Sequence, residues 1–313
     1  MLIKATAGKI DAAIGRFEGP IMAYMEKEHG DFAKTSLKST LFNVKKSKHY
    51  SESVTGMTGI GDMVATDGAV PYDDMEEGYS KTFIHKVFKK GLQIKRETID
   101  DSRIIDMENQ SGNLIDAANR TKEKFVHAIF NNASATTFTL AGQTFDCAGQ
   151  DILALASAAH TSKTGKTANQ TNLTTNALSV DNLKIAEEMM VGLKTDIGEM
   201  GNFVPDMILA PYELRNDVWE IVQSAGKVNS ADNNVNPYQD KFKVVISKWL
   251  TDNDRWFLID SRYMKKCLYW IDRVELEVKS DVDFNTDNWL IKAYERYSLG
   301  FTDWRWVICN IPA

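Results

Sequence analysis

Residues 71–102 read PYDDMEEGYSKTFIHKVFKKGLQIKRETIDDS. Acids crowd the start: Asp73, Asp74, Glu76 and Glu77. A basic run follows, with Lys81, Lys86, Lys89 and Lys90. From Phe83 onward the side chains partly alternate. Phe83, His85, Val87 and Lys89 fall on one face, and Ile84, Lys86, Phe88 and Lys90 on the other. Leu92, Ile94 and Arg96 then alternate with Gln93 and Lys95. A period of two with β-branched and aromatic content predicts strand. Asp100, Asp101 and Ser102 offer helix N-caps. Between about residues 112 and 131, Leu114, Ala118, Phe125 and Ile129 recur at helical spacing, which predicts one long helix interrupted only by Lys122.

Upstream, residues 51–80 hold five glycines and one proline, too many for a regular core element. A structureless insertion this long is unusual inside a domain, so an extended hairpin is the natural content. Before it, residues 32–50 carry Lys34, Lys38, Lys45, Lys46 and Lys48 and no acid. That pattern fits a solvated basic arm or an arm that binds a partner.

Downstream, a second unit begins near residue 136. It offers a short strand (TTFTLAG, 136–142), a polar loop (160–176) and a helix near 180–194 capped by Ser179 or Asp181. A buried strand (PDMILAP, 205–211) precedes a helix within 211–226. Strands at 243–250 and 254–260 flank the turn TDND. Strand–helix alternation of this kind predicts an α/β unit. Residues 267–278 and 288–310 return to strand, with a bend near Gly300. The whole chain is therefore expected to be α+β, a mixed α/β protein.

Composition sets the outer limits. The chain has 313 residues, 43% apolar and 26% charged, ordinary for a globular protein of one large or two average domains. Collagen, disulfide scaffold, disordered tail and membrane bundle are excluded. A net charge of −6 argues against whole-chain nucleic-acid binding. Cys147, Cys267 and Cys309 are widely spaced without C-x-x-C, which fits free thiols in a reducing compartment. No signal peptide or membrane span is expected, and the protein is read as made in a cytoplasm. All seven tryptophans lie after residue 218, as core or interface material.

Catalytic patterns fail on inspection. HTSKTGKT (160–167) ends like a phosphate-binding loop, but His160 stands where glycine is needed and no helix start follows. A solvent loop is the expected alternative. No histidine pair has zinc-helix spacing, and His85 and His127 read as structural. G-x-S-x-G is absent. Asp73 and Asp74 lack the rigid support of a glycosidase pair, and residues 59–62 (GIGD) lack the third glycine of a dinucleotide loop. No catalytic residue, cofactor or metal is expected.

The order of elements carries a resemblance. P-Y-D-D-x-x-E-G-Y is followed by an alternating strand and Arg96-Glu97-x-x-x-Asp100-Asp101. Ala159-His160-T-S-K-T-G-K-T-A-N-Q-T-N-L forms a small-His-polar loop ending in Asn-Leu. Glu295-Arg296-Tyr297-Ser298-Leu299-Gly300-Phe301 forms a charged-aromatic-Gly closing strand. Over about residues 40–310 this resembles the major capsid protein of tailed bacteriophages, the HK97-type fold, and more narrowly the major head subunit of Mu-like phages and prophages.

The resemblance implies a layout: an N-terminal arm (1–48), an extended loop (49–82), a peripheral domain with a long spine helix (83–135), an axial domain (136–262) and returning peripheral strands (263–313). It implies a structural protein that self-assembles as hexamers and pentamers of an icosahedral shell around double-stranded DNA, without sequence-specific contact. A virion location, a separate scaffold protein and a portal are further expectations, and a membrane is not. The scaffold is expected if this is the whole gene product, since only about 48 residues precede the extended loop. Lys45, Lys46 and Lys48 of the arm, and Asp73, Asp74, Glu76 and Glu77 of the loop, are the expected intersubunit contacts. Two alternatives remain open at this point. One is an encapsulin-type shell with enzyme cargo; the other is a soluble α/β enzyme that binds phosphate at 160–167 through Lys166.

Overall fold

The computed structural model describes residues 7–226 and 235–312. In chain order it begins with α1 (Ala7–Thr35), α2 (Lys38–Leu41) and β1 (Asn43–Lys46). Next come β2 (Ser51–Met57), β3 (Glu77–Ile84), β4 (Lys86–Ile94), α3 (Arg96–Asp100) and the long α4 (Ile104–Asn131). A small hairpin, β5 (Thr137–Leu140) and β6 (Gln143–Asp146), leads to β7 (Leu173–Thr174), α5 (Val180–Val191), β8 (Met207–Pro211) and α6 (Arg215–Val222). The chain closes with β9 (Lys243–Ser247), β10 (Trp256–Ile259), α7 (Ser261–Cys267), β11 (Leu268–Val282), β12 (Trp289–Phe301) and β13 (Val307–Asn310).

Two sheets divide the work. The first sheet has the order β1-β11-β12-β4. Its spine is the antiparallel β11–β12 pair, and β4 runs antiparallel along β12 from Ile94 opposite Trp289 to Lys86 opposite Tyr297. Helix α4 covers one face. Met107, Leu114 and Ile115, spaced to lie on one side of a helix, are buried with Trp289, Ile291 and Ala293. Helix α1 joins the same core through Ile14, Ile21 and Met25.

The second sheet has the order β7-β13-β10-β8-β9. Strands β8, β10 and β13 are buried along their whole length, which is why MILAP and WFLI read as unbroken apolar runs and VICN breaks only at the buried Asn310. Helix α5 starts where expected: Ser179 Oγ accepts from the Asn182 amide at 3.2 Å. Asp260 caps α7 the same way, accepting from the Tyr263 amide at 2.9 Å.

Three expectations change. The final strand, β13, expected to return to the sheet of β11 and β12, instead pairs antiparallel with β10 in the second sheet after the turn at 302–306. Its four residues are all buried, and that apolar run needs two covered faces. Residues 7–46, within the expected arm, also pack on their own subunit. An amphipathic α1 lies on α4, and β1 adds parallel to β11, placing Val44 beside Trp270. The first six residues of the expected arm lie outside the described residues. Finally, the alternating run from Phe83 is broken at His85, between β3 and β4. Lys81, Phe83 and His85 are buried before the break, whereas Phe88, of the opposite parity, stacks on Tyr297 at 4.5 Å after it.

Of the seven tryptophans, Trp256, Trp270, Trp289, Trp304 and Trp306 are core, while Trp219 is exposed. The three cysteines are free and buried. Among the described residues, no helix is long and apolar enough to cross a membrane, and no cluster could hold a metal ion.

Candidate assembly site

Strands β2 and β3 pair antiparallel from Ser51 opposite Ile84 to Met57 opposite Glu77. Between them, residues 58–76 form no regular element and are exposed except for Thr58. The extended loop expected from the glycine pattern is thus a two-stranded hairpin with a long irregular tip. Gly56 and Gly78 let its strands approach closely: a Cβ on Gly78 would lie 3.0 Å from the Gly56 carbonyl oxygen.

The hairpin's root is fixed to its own subunit. Lys81 is only 7% exposed; its Nζ donates to Asp146 Oδ2 at 2.6 Å and to the Ala148 carbonyl at 2.8 Å. Gln150 Nε2 donates to the Val54 carbonyl at 2.9 Å, and Lys163 Nζ to the Gly78 carbonyl at 2.8 Å. Phe83 packs edge-on against Tyr269, so tightly against β12 that a Cβ on Gly300 would lie 2.7 Å from its ring. His85 sits at the strand break, with Nδ1 2.9 Å from Ser298 Oγ. Burial, then the nearby Arg296 guanidinium, hold its imidazole below the usual range.

The polar loop supports this root. His160 is buried, stacked on Trp304 at 4.0 Å, with Nδ1 2.6 Å from Asp151 Oδ2. Arg305 lies over the Trp304 ring, 5.0 Å from its centroid, and donates to Asp303 at 2.8 Å and Asp196 at 2.6 Å. Thr161, Lys163 and Thr164 line a cavity of about 50 Å³ with Tyr79 of the hairpin. The solvent-loop expectation is therefore corrected at its ends: His160 and Thr167 are anchors, and only the middle faces water. No helix starts directly after residue 167, since α5 begins only at Val180, so the backbone there offers no helix N-terminus to a phosphate. His160 gave a sequence signal only as part of the family-like loop; nothing in the spacing marked Asp151 or Trp304 as its neighbours.

The expected contact residues fall into two groups. Lys45 Nζ lies 4.5 Å from the Tyr269 ring centroid, and Lys46 Nζ is 2.8 Å from Glu275 Oε1; both contacts are within the chain. Lys48 is exposed. In the hairpin, Asp73 Oδ2 accepts from the Gly61 amide at 3.0 Å, and Glu76 lies 3.8 Å from Lys166. Asp74 and Glu77 are exposed. The acids thus gather on the hairpin, while Lys45 and Lys46 lie on β1 at the edge of the first sheet. Lys81, the first cation of the basic run, is paired with Asp146.

A family model described as phage capsid protein matches residues 79–310. This chain belongs to the phage capsid protein family. Membership makes it a structural protein of a phage shell rather than an enzyme. Its fold is the HK97-type capsid fold. The structure from Microbacterium phage Oxtober96 is similar over 89% of this chain and 91% of that one, with a TM-score of 0.56 at 12% identity. A structure from Mycobacterium phage Adephagia covers 89% of this chain and 90% of its own, at TM-score 0.52 and 13% identity. The capsid of bacteriophage JBD30, decorated with minor capsid protein trimers, matches 69% of this chain and 91% of that chain, at TM-score 0.53 and 16% identity. No curated protein matches the sequence.

Proposed function

We propose that this capsid protein is the major head subunit of a tailed phage or prophage of the Mu-like kind, built as hexamers and pentamers of an icosahedral shell. One observation carries the reading. The hairpin tip holds Ile60, Met63, Val64, Val70 and Tyr72 in water, with Met63 fully exposed and Tyr72 at 90%. Apolar side chains concentrated on an extension that buries little of its own subunit are stabilised by covering them with a neighbour. Repetition by symmetry multiplies each weak contact into a closed particle.

On this reading residues 1–48 and 49–82 are the linking parts, 83–135 with β11 and β12 the peripheral part, and 136–262 with β13 the axial part. Lys45, Lys46 and Lys48 meet a neighbour or a scaffold through charge left over from their own-chain partners. A scaffold and a portal act on the same subunit during assembly in the host cytoplasm. The net charge of −6 favours enclosing double-stranded DNA without adhering to it.

Negative-stain electron microscopy with light scattering tests the reading. Closed shells, or rings of five and six, are expected from the purified protein or from co-expression with its scaffold. Subunits that remain monomeric under co-expression and crowding overturn it. Particles filled with an enzyme and free of DNA would transfer the protein to the encapsulin-type reading.

A further inference from the structure

Three nitrogen bases without partners meet at the root of the hairpin. His85 is 3% exposed; its Nδ1 lies 2.9 Å from Ser298 Oγ, and its Nε2 has no hydrogen-bond partner. Tyr297 points at Phe125 of α4, 5.6 Å away, so its neighbours on β12, Arg296 and Ser298, face the other side of the first sheet. The Nε of Arg296 is buried and unpaired as well. Its guanidinium lies 5.5 Å from the ring of Tyr50, on the connection between β1 and β2. Arg273 of the adjacent β11 is the third member, since its charge and that of Arg296 both act on the His85 ring. Both arginines are half-buried.

The acids nearby are engaged elsewhere. Glu275 is taken by Lys46 at 2.8 Å and Glu277 by Lys279 at 3.3 Å, and among the described residues neither arginine forms an ion pair. Glu52 is the one acid whose charge acts on His85, and its carboxylate accepts from the Ser47 hydroxyl at 2.5 Å. Lys48 adds an exposed cation between Ser47, whose amide donates to the Asp272 carbonyl, and Tyr50. Partly desolvated donors normally have partners, and a cluster of unpaired ones calls for a ligand. We propose that His85, Arg273 and Arg296 form a binding site for a phosphate group. With the ring neutral, Ser298 donates its hydroxyl proton to Nδ1 and leaves Nε2–H as the inner donor. Burial, then Arg296 and Arg273, favour that neutral ring, with Glu52 opposing them. Two guanidinium forks and one ring N–H serve three or more oxygens, which suits a tetrahedral phosphate better than a carboxylate. The group is carried either by a free phosphate or by a nucleic-acid backbone. The site is complete within one subunit, so its test does not depend on shell formation.

Calorimetric titration of the full-length protein with sodium phosphate, at an ionic strength held constant with sodium chloride, tests the site. Wild type should saturate at millimolar phosphate or below. Arg296→Gln and Arg273→Gln should each weaken binding by about tenfold, the worth of one charge-assisted hydrogen bond. Lys279→Gln removes a charge elsewhere on the same sheet and should leave binding unchanged. No saturation of wild type at tens of millimolar phosphate overturns the site, and so does an equal loss in all three variants. Arg296→Lys guards against misfolding: it keeps the charge and loses the fork, so it should fold and bind more weakly than wild type. Wild-type affinity in that variant reduces the cluster to diffuse charge and overturns the site. NMR of the histidine rings adds a readout that fold stability does not move. Phosphate should raise the pKa of His85 toward the ordinary histidine range, because an anion favours the imidazolium. A ring that titrates identically with and without phosphate overturns its place in the site. A short DNA duplex of mixed sequence then identifies the source. A duplex that competes with phosphate in wild type and fails to bind Arg296→Gln assigns the site to the nucleic-acid backbone; one that does not compete, with phosphate still bound, assigns it to a free phosphate.

Discussion

His127 lies fully buried on α4, its Nδ1 donating to the Glu123 carbonyl at 2.9 Å. Its Nε2 is then the acceptor for the Ser247 hydroxyl at 2.8 Å. Both partners suit a neutral ring, and burial pushes its pKa down to about 4. An unfolded chain takes up this proton near pH 6.5, long before the folded one does. The stabilising contribution is therefore complete above about pH 6.5 and is lost as pH falls toward 4. The unassembled subunit should lose about 2 kcal/mol between pH 7 and pH 5 from this group alone. Urea unfolding of wild type and His127→Gln at the two values checks it: the variant should show a smaller pH slope, and parallel slopes would remove the effect. The nearby Glu123 carboxyl shifts the opposite way, raised by burial against the counter-pull of its contact with Ser36. Its protonation favours the folded form, so its contribution is present at low pH and fades as pH rises.

At the scale of elements, the hairpin is the part whose existence depends on what lies outside it. Two strands alone are marginal in water. Here β2 and β3 are held by their root, through Lys81, Gln150, Lys163 and the Phe83 ring against Gly300. The tip has no such support. Replacing residues 58–76 by Asn-Gly joins Met57 to Glu77 through the turn that a two-residue hairpin prefers. The expected product is a soluble subunit with unfolding within about 1 kcal/mol of wild type, because few buried groups are lost. Shells should be absent from its gradients, and a normal shell peak would show that the tip does not link subunits.

For the whole molecule, the main question is how the basic segment 34–48 is used. Lys38 is drawn inward, 2.6 Å from Asp272 and over the Trp270 ring, and burial lowers its pKa. Lys45, Lys46 and Lys48 stay at the surface. An exposed pair such as Lys46–Glu275 is worth only about 0.2–1 kcal/mol, so reversing these three charges should barely alter the subunit's own stability. Assembly multiplies small terms by many copies. Reversal of all three to glutamate should cut shell yield at low salt and cut it less, relative to wild type, as salt rises. A yield unchanged across the salt series would count against a role for the arm in assembly.

Local pattern alone determined much of this protein. Helical spacing from Leu114 to Ile129 marked α4, the runs MILAP and WFLI marked buried strands, and glycine density at 51–80 marked the hairpin. The order of these elements carried the family. What it left open is what distant packing decides. Helix α1 contains Gly15, Gly19, Gly30 and Pro20, poor helix formers, and is stabilised by Ile21 and Met25 against α4. The strand parity after His85 flips because a break there lets Phe88 reach Tyr297. His160 reads as part of a polar loop until Trp304, Asp151 and Asn172 enclose it. The sheet that β13 joins depends on pairing with β10 and β7, segments that its own local pattern does not name. Periodicity reports which face a residue turns to its own element's neighbours; only the tertiary structure says which neighbours those are.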